Sequence, residues 1–217
     1  TRSACGPLAG IAPVERNSRK GYDAAWARSC IEFNDAVLEY LKSTPTIRTV
    51  VLSSPFRGYL DDEVFDVLIR SGNVYHQTRP DPDLALKQLS RTITQIRALG
   101  RKVVIIAPPP SSAFNIGACL ERVQEKKLIL GAPEDCVIDE QDYRNRRSRV
   151  LKFLDRVERD ENVGVIRFDP LLCDGTKCRT TLEGTALYRD SAHLSDAGSA
   201  LLGTRLALRD QLERLAR

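Results

Sequence analysis

Three short β-branched runs constrain the fold most: "IRTVVLSSP" (47–55), "RKVVIIAPPP" (101–110) and "VGVIRFDP" (163–170). Each is nearly continuous in apolar residues and ends at Ser or Pro. This is the pattern of a strand covered on both faces in a parallel sheet, not the alternation of a half-solvated strand. Parallel neighbours need crossovers of a dozen or more residues, and the segments between the runs are long enough and have helical period. Residues 23–43 place Trp26, Cys30, Phe33, Val37 and Leu41 three or four apart on one helix face. Residues 82–99 and 143–160 read similarly. The alternation predicts a doubly wound α/β layer with right-handed connections. A final helix is expected over 196–215, with Ser195 as N-cap, Asp196 at the positive end of the dipole and an apolar stripe in "ALLGTRLALRDQLERL".

The 217 residues, 42% hydrophobic, suffice for one domain with its own core. The 33 basic and 29 acidic residues are scattered and form no basic stripe, which argues against a nucleic-acid partner. The longest apolar run, "VVIIA" at 103–107, has the length of a strand and falls far short of the roughly 20 residues of a membrane span. A soluble piece is expected. The charge run "RNRRSR" (144–149) reads most simply as the solvated face of the 143–160 helix, with an acidic ligand as the alternative.

Six cysteines allow 15 pairings. They fall into three local couples, Cys5 with Cys30, Cys119 with Cys136 and Cys173 with Cys178, and these are the expected disulfides of a chain in an oxidising compartment. Buried thiols of a cytosolic protein are the alternative, while a metal site would need tighter spacings with histidine nearby. The opening "TRSACGPLAG" has no initiator Met and no signal segment, so the chain is expected to be a piece of a larger polypeptide. Two segments exceed a minimal layer, residues 111–141 and 171–188. Both leave from strand ends, the edge where ligands bind in such sheets, which makes them candidate walls of a substrate site.

One of the two histidines stands in "YRDSAHLSDAG" (188–198), three residues after Asp190. In a turn, that offset lets the carboxylate accept a hydrogen bond from imidazole Nδ1–H, fixing the tautomer and stabilising the imidazolium when Nε2 takes a proton. Asp190 and His193 would then be the orienter and base of a serine hydrolase. By spacing alone the signal is weak, and a structural loop histidine is the simpler reading. Position strengthens the catalytic one, because the pair follows the last strand and precedes the terminal helix, as the last two members do in the Ser, Asp, His order of α/β acyl-transfer enzymes. His76, in "NVYHQTRPD", has no such setting and reads as a surface or loop residue. Ser53 and Ser54 end a strand, but Pro55 follows where a nucleophile would need a helix start. Ser191 and Ser195 are accounted for by the turn and the cap.

On these residues the sequence resembles the SGNH hydrolases, whose last motif block is Asp-x-x-His. "DSAHLSDAGSALLG" is particularly similar to the SGNH domain fused behind the membrane domain of acyltransferase-3 proteins. "SACGPL", "CIEFNDAVLEYL", "TVVLSSPF", "VVIIAPPP", "ACLER" and "LLCDGTKC" follow in the expected order. The resemblance implies a flavodoxin-like three-layer α/β SGNH-hydrolase fold with a parallel sheet and disulfide-tied insertions, occupying residues 1–217 as one domain. It implies a periplasmic or extracytoplasmic part of an inner-membrane protein, with a membrane acyltransferase domain as covalent or docking partner. The implied activity is O-acetylation of an envelope polysaccharide such as lipopolysaccharide O-antigen, by a Ser-Asp-His mechanism without metal or cofactor. A glycan O-acetyl esterase and a non-catalytic glycan-binding module are the alternatives. Asp190 carries over as orienter and His193 as base. The family's Gly-Asp-Ser block does not occur in this sequence, and neither does its Gly-x-Asn-Asp block, whose place is taken by "LSSPFRGY"; Asn34-Asp35 lies in a helical segment and is no substitute. The nucleophile and first strand are therefore expected upstream of Thr1. Backbone N–H groups around Ser53 and Ser54, or near Ser3, are the remaining oxyanion candidates.

Overall fold

The computed structural model describes residues 5–17 and 21–215, so Ser3 lies outside the described residues. The chain forms two compact units. The first comprises the described residues up to Ala107 with Arg149–Val165 and Leu215, and the second comprises Pro108–Ser148 and Ile166–Arg214.

The apolar runs become strands β2 (Thr49–Ser53), β5 (Lys102–Ile106) and β7 (Gly164–Ile166) of one sheet in the order β2-β5-β7. β2 and β5 are parallel, with Val50 opposite Val103, Val51 opposite Val104 and Leu52 opposite Ile105. β5 occupies the centre, and Val103, Val104 and Ile105 are buried, as an uninterrupted apolar run requires.

Helix α1 (Ala24–Ser43) starts where the Asp23 carboxylate accepts from Trp26 N–H at 2.9 Å. It buries Ala27, Cys30, Ile31 and Leu41. Helix α2 (Pro82–Ala98) begins with Asp81 as cap and Pro82 in the first turn, where the missing N–H costs nothing. Ala85, Leu86, Leu89, Ile93 and Ile96 form its buried stripe, and the chain leaves it through Gly100 at φ +72°. Helix α4 (Glu140–Glu161) starts three residues earlier than its apolar period predicts, because Asp139 accepts from Asp142 N–H at 2.7 Å and caps it. Val150, Phe153, Leu154 and Val157 of α4 join Leu89, Ile93, Val103 and Ile105 in the core of the first unit, with Phe153 tilted against Phe56 at 5.7 Å.

The first unit also holds an antiparallel sheet that the apolar runs do not predict: β1 (Ile11–Glu15), β3 (Phe65–Ser71) and β4 (Val74–Thr78), in the order β1-β3-β4. β1 contains Pro13, which an edge strand accommodates. β3 and β4 form a hairpin turning at Gly72 (φ +61°) and Asn73. His76 is exposed, but it lies on β4 opposite Ile69 and not in a loop. Asn34 donates to the Gly6 carbonyl at 2.9 Å and Asp35 pairs with Arg70 of β3, so both anchor α1.

In the second unit, residues 111–141 contribute α3 (Ile116–Gln124) and the short strand β6 (Ile138–Asp139). Residues 171–188 contribute the second half of the turn α5 (Asp169–Leu172), β8 (Lys177–Cys178), which pairs with β6, and β9 (Thr181–Leu182), which pairs with β10 (Thr185–Ala186). The terminal helix is not continuous: α6 (Asp196–Arg205) and α7 (Leu208–Leu215) are separated at Ala207, whose φ is +44°. The Gln211 amide donates to the Leu206 carbonyl at 2.6 Å, a side-chain bond that takes up a carbonyl left over at the break.

All three local couples are disulfides: Cys5–Cys30, Cys119–Cys136 and Cys173–Cys178, with sequence separations of 25, 17 and 5. A cross-link restricts the unfolded chain more as the closed loop lengthens. Replacing both cysteines by alanine should therefore cost about 3.5 kcal/mol at Cys5–Cys30 and about 2 kcal/mol at Cys173–Cys178. Urea unfolding of the two double variants checks the order.

Candidate functional site

Asp190 and His193 lie in the second unit, in a five-residue loop between β10 and α6. The loop is closed at its base by Arg189 N–H donating to the His193 carbonyl at 3.0 Å, with Tyr188 bridged to Leu194 just outside it. Below the bridge, Ser195 N–H bonds the Leu187 carbonyl at 2.9 Å. The Ser195 hydroxyl donates to the Ala186 carbonyl at 2.7 Å and accepts from Gly198 N–H at 2.9 Å, which makes it the expected cap of α6.

Two distant stretches hold the loop from the side. Ser112 N–H, just beyond the prolines that end β5, donates to the Ser191 carbonyl at 3.0 Å. Gly117, in the first turn of α3, packs so closely on the Arg189 backbone that a Cβ there would stand 2.3 Å from its carbonyl oxygen. Only glycine permits that approach.

Within the loop the two carboxylate oxygens of Asp190 have separate tasks. Oδ1 accepts from the N–H groups of Ala192 (2.9 Å) and His193 (2.8 Å), which folds the turn. Oδ2 lies 2.8 Å from His193 Nδ1. Partial burial pushes the Asp190 carboxyl up, but the two backbone N–H bonds and the bond to the His193 ring outweigh it and hold the group below its ordinary value. The carboxylate is thus ionised at neutral pH and can only accept, so the neutral imidazole carries its proton on Nδ1 and presents a basic Nε2. His193 is 66% exposed, so an oriented base faces outward. Arg189 stands 3.9 Å from Oδ2, a loose surface contact.

Ser53 and Ser54 lie in the first unit. The Ser53 hydroxyl donates to the Ile106 carbonyl at 3.1 Å, while Ser54 Oγ accepts from Phe56 N–H at 3.2 Å. Both hydroxyls are engaged in closing the end of β2. The charge run 144–149 is more than a solvated face. Arg146 and Arg147 both reach Ser111, at its carbonyl (3.2 Å) and its hydroxyl (2.9 Å), and Arg144 pairs with the buried Glu140 at 2.6 Å. Glu140 also accepts from Gly175 N–H at 2.7 Å, tying the Cys173–Cys178 loop to α4. A shallow cavity of about 440 Å³ opens beside it, lined by Glu140, Arg144, Arg167, Asp169, Cys173 and Gly175. Glu140 lies close to both sulfurs, but these are bonded to each other and offer no thiolate to a metal. Tyr143 donates to Asp169 at 3.0 Å; burial pushes this phenol above its ordinary range, and the neighbouring carboxylate adds to the effect.

Sequence reasoning missed the supporting residues Ser112 and Gly117, which lie more than seventy positions from the loop they fix. A glycine in the first turn of an otherwise regular helix is the one local signal for a close backbone approach.

A parallel sheet, disulfide-tied loops and a carboxylate–imidazole loop before the last helices define an α/β domain of SGNH-hydrolase type. The chain belongs to the family of SGNH domains fused to AT3 domains, whose sequence profile matches residues 1–208. Among solved structures it is similar to the periplasmic domain of a lipopolysaccharide acetyltransferase from Salmonella ser. Paratyphi A, with a TM-score of 0.50 at 20% identity. The similarity covers 83% of this chain and 62% of that one, so the chain spans less than two thirds of its neighbour's length. At that identity the likeness concerns the fold. A search of the curated proteins finds no match.

Two outcomes follow from the geometry. Gly117→Ala should destabilise the protein by about 1–3 kcal/mol, because backbone must give way, and should shift the His193 ring resonances; thermal unfolding and NMR read both. The Ala192 and His193 amide shifts should titrate together, with a midpoint below the ordinary aspartate value of about 3.9. Because the folded carboxyl is depressed, its contribution to stability is complete above the unfolded value and disappears as pH falls through the folded one.

Proposed function

We propose that this chain is an extracytoplasmic O-acyltransferase domain that hands acetyl groups to a hydroxyl of an envelope polysaccharide, with Asp190 as orienter and His193 as general base. The observation that carries this reading is the 2.8 Å contact of Asp190 Oδ2 with His193 Nδ1, which in the neutral imidazole favours the proton on Nδ1 and a free lone pair on Nε2 of an exposed ring. The family assignment and the three disulfides of an oxidising compartment support it. No helix among the described residues is long and apolar enough to cross a membrane, so in this reading the membrane partner is the AT3 domain for which the family is named.

In this reading the nucleophile is a Gly-Asp-Ser serine supplied from outside these 217 residues. His193 Nε2 takes the serine proton as Oγ attacks the acetyl carbonyl, and the imidazolium, held by the Asp190 carboxylate, returns that proton to the leaving group. A sugar hydroxyl then gives its proton to Nε2 and attacks the acetyl-serine, and as the acetyl–Oγ bond breaks the imidazolium returns that proton to Oγ, which regenerates both the serine and the base. In this reading residues 111–141 and 171–188 are the candidate walls of the acceptor site.

The test uses the complete polypeptide expressed in cells lacking it, with glycan-bound acetate as the readout. His193→Ala should lower acetylation by about 10²- to 10⁴-fold, the usual contribution of a general base, with Asp190→Asn lowering it strongly as well, at unchanged protein level. Full acetylation by His193→Ala would overturn the assignment. Loss of acetate from a purified glycan on addition of the wild-type protein would point instead to an esterase.

A further inference from the structure

Within the 111–141 segment of the second unit lies an apolar feature that the proton-transfer chemistry of Asp190 and His193 does not use. The last turn of α3 and the loop that follows it span residues 122–131 ("RVQEKKLILG"), in which Leu128 and Leu130 are each 73% exposed and Val123 47%. A slack loop would fold such side chains back, but this one is held open. Lys126 N–H bonds the Val123 carbonyl at 3.1 Å and Lys127 N–H the Arg122 carbonyl at 2.8 Å, with Lys126 at φ +55°. The Arg122 guanidinium donates to the Leu128 carbonyl at 2.9 Å and so fixes the backbone that presents the first leucine. The Cys119–Cys136 disulfide closes the loop behind it.

The charges at the tip select the occupant. Arg122, Lys126 and Lys127 stand directly before the leucines, while Glu125 is drawn onto Lys127 at 2.6 Å. At the far end of the same loop Asp135 is engaged by Lys177 at 2.9 Å, which leaves Glu121 and Glu134 as the other acidic neighbours. Leucines flanked by long cationic side chains match a bilayer interface: the apolar tips enter the acyl boundary while the ammonium and guanidinium groups remain among phosphates. We infer that residues 122–131 are a membrane-contact loop that inserts Leu128 and Leu130 into the surface of a bilayer containing anionic lipid. The inference does not depend on the acyl-transfer chemistry.

The test is co-sedimentation of the 217-residue chain with phosphatidylcholine vesicles, with and without phosphatidylglycerol. Binding should require phosphatidylglycerol, weaken with added salt, and fall by at least about tenfold in Leu128→Ser/Leu130→Ser. A Leu128→Trp variant gives a second readout, since the emission of the introduced indole should shift to the blue on addition of phosphatidylglycerol vesicles. Absence of binding to either vesicle, equal binding by the double-serine variant, or an unshifted emission spectrum of the Leu128→Trp variant would overturn the inference. So would a double-serine variant that changes the chain from dimer to monomer without lipid, which would make the loop a self-contact.

Discussion

Burial of β5 on both faces is the constraint that organises the first unit. Val103, Val104 and Ile105 have no polar side, so both faces must be covered, and on the face of Val103 and Ile105 the apolar stripes of α2 and α4 join them in one cluster. The parallel pairing with β2 then demands a long crossover, and the chain uses that length for α2 itself. The β3–β4 hairpin shares this connection. The prolines after β5 serve the neighbouring unit: Pro108, Pro109 and Pro110 end the strand, and the extended chain beyond them brings Ser112 N–H to the Ser191 carbonyl.

The candidate site is held at a few points of the second unit. A five-residue loop has little packing of its own, and its shape is set by backbone contacts at both ends and on one flank: Ser195 to Leu187 below, Ser112 to Ser191 beside it, and the bare Cα of Gly117 against Arg189. Gly198 repeats the device on the other side, where a Cβ would stand 2.5 Å from the Leu187 carbonyl oxygen. Two glycines inside helices, each costly by propensity, are thus explained by the loop they admit.

The strands β2, β5 and β7, the helices α1, α2 and α4, and the three cysteine couples were legible because each rests on a local pattern: an apolar run, a 3.6-residue period or proximity in sequence. The antiparallel sheet was not, since β1 contains Pro13 and β4 is polar and exposed, although Gly72-Asn73 between "DVLIR" and "VYHQT" is a hairpin signal that could have found it. The break between α6 and α7 has no Gly or Pro to announce it and depends on Gln211 reaching back to Leu206. At the site, the offset of Asp190 and His193 was legible while its supports were not, because Ser112 and Gly117 act through backbone contacts that leave no residue-type signature at such separation.

The division of labour within Asp190 couples the fold of the loop to the placement of a proton. Oδ1 satisfies two N–H groups that would otherwise point into the turn unpaired, so removal of the side chain releases the backbone together with the imidazole. An asparagine at 190 separates these roles. Its carbonyl oxygen can still accept from Ala192 and His193, but its amide would turn an N–H toward Nδ1. Nδ1 would then have to accept, the ring proton would move to Nε2, and the outward-facing nitrogen would become a donor with no lone pair for a hydroxyl proton. The loop would persist and the base would be lost, which is why one oxygen-to-nitrogen exchange distinguishes a structural histidine from a catalytic one.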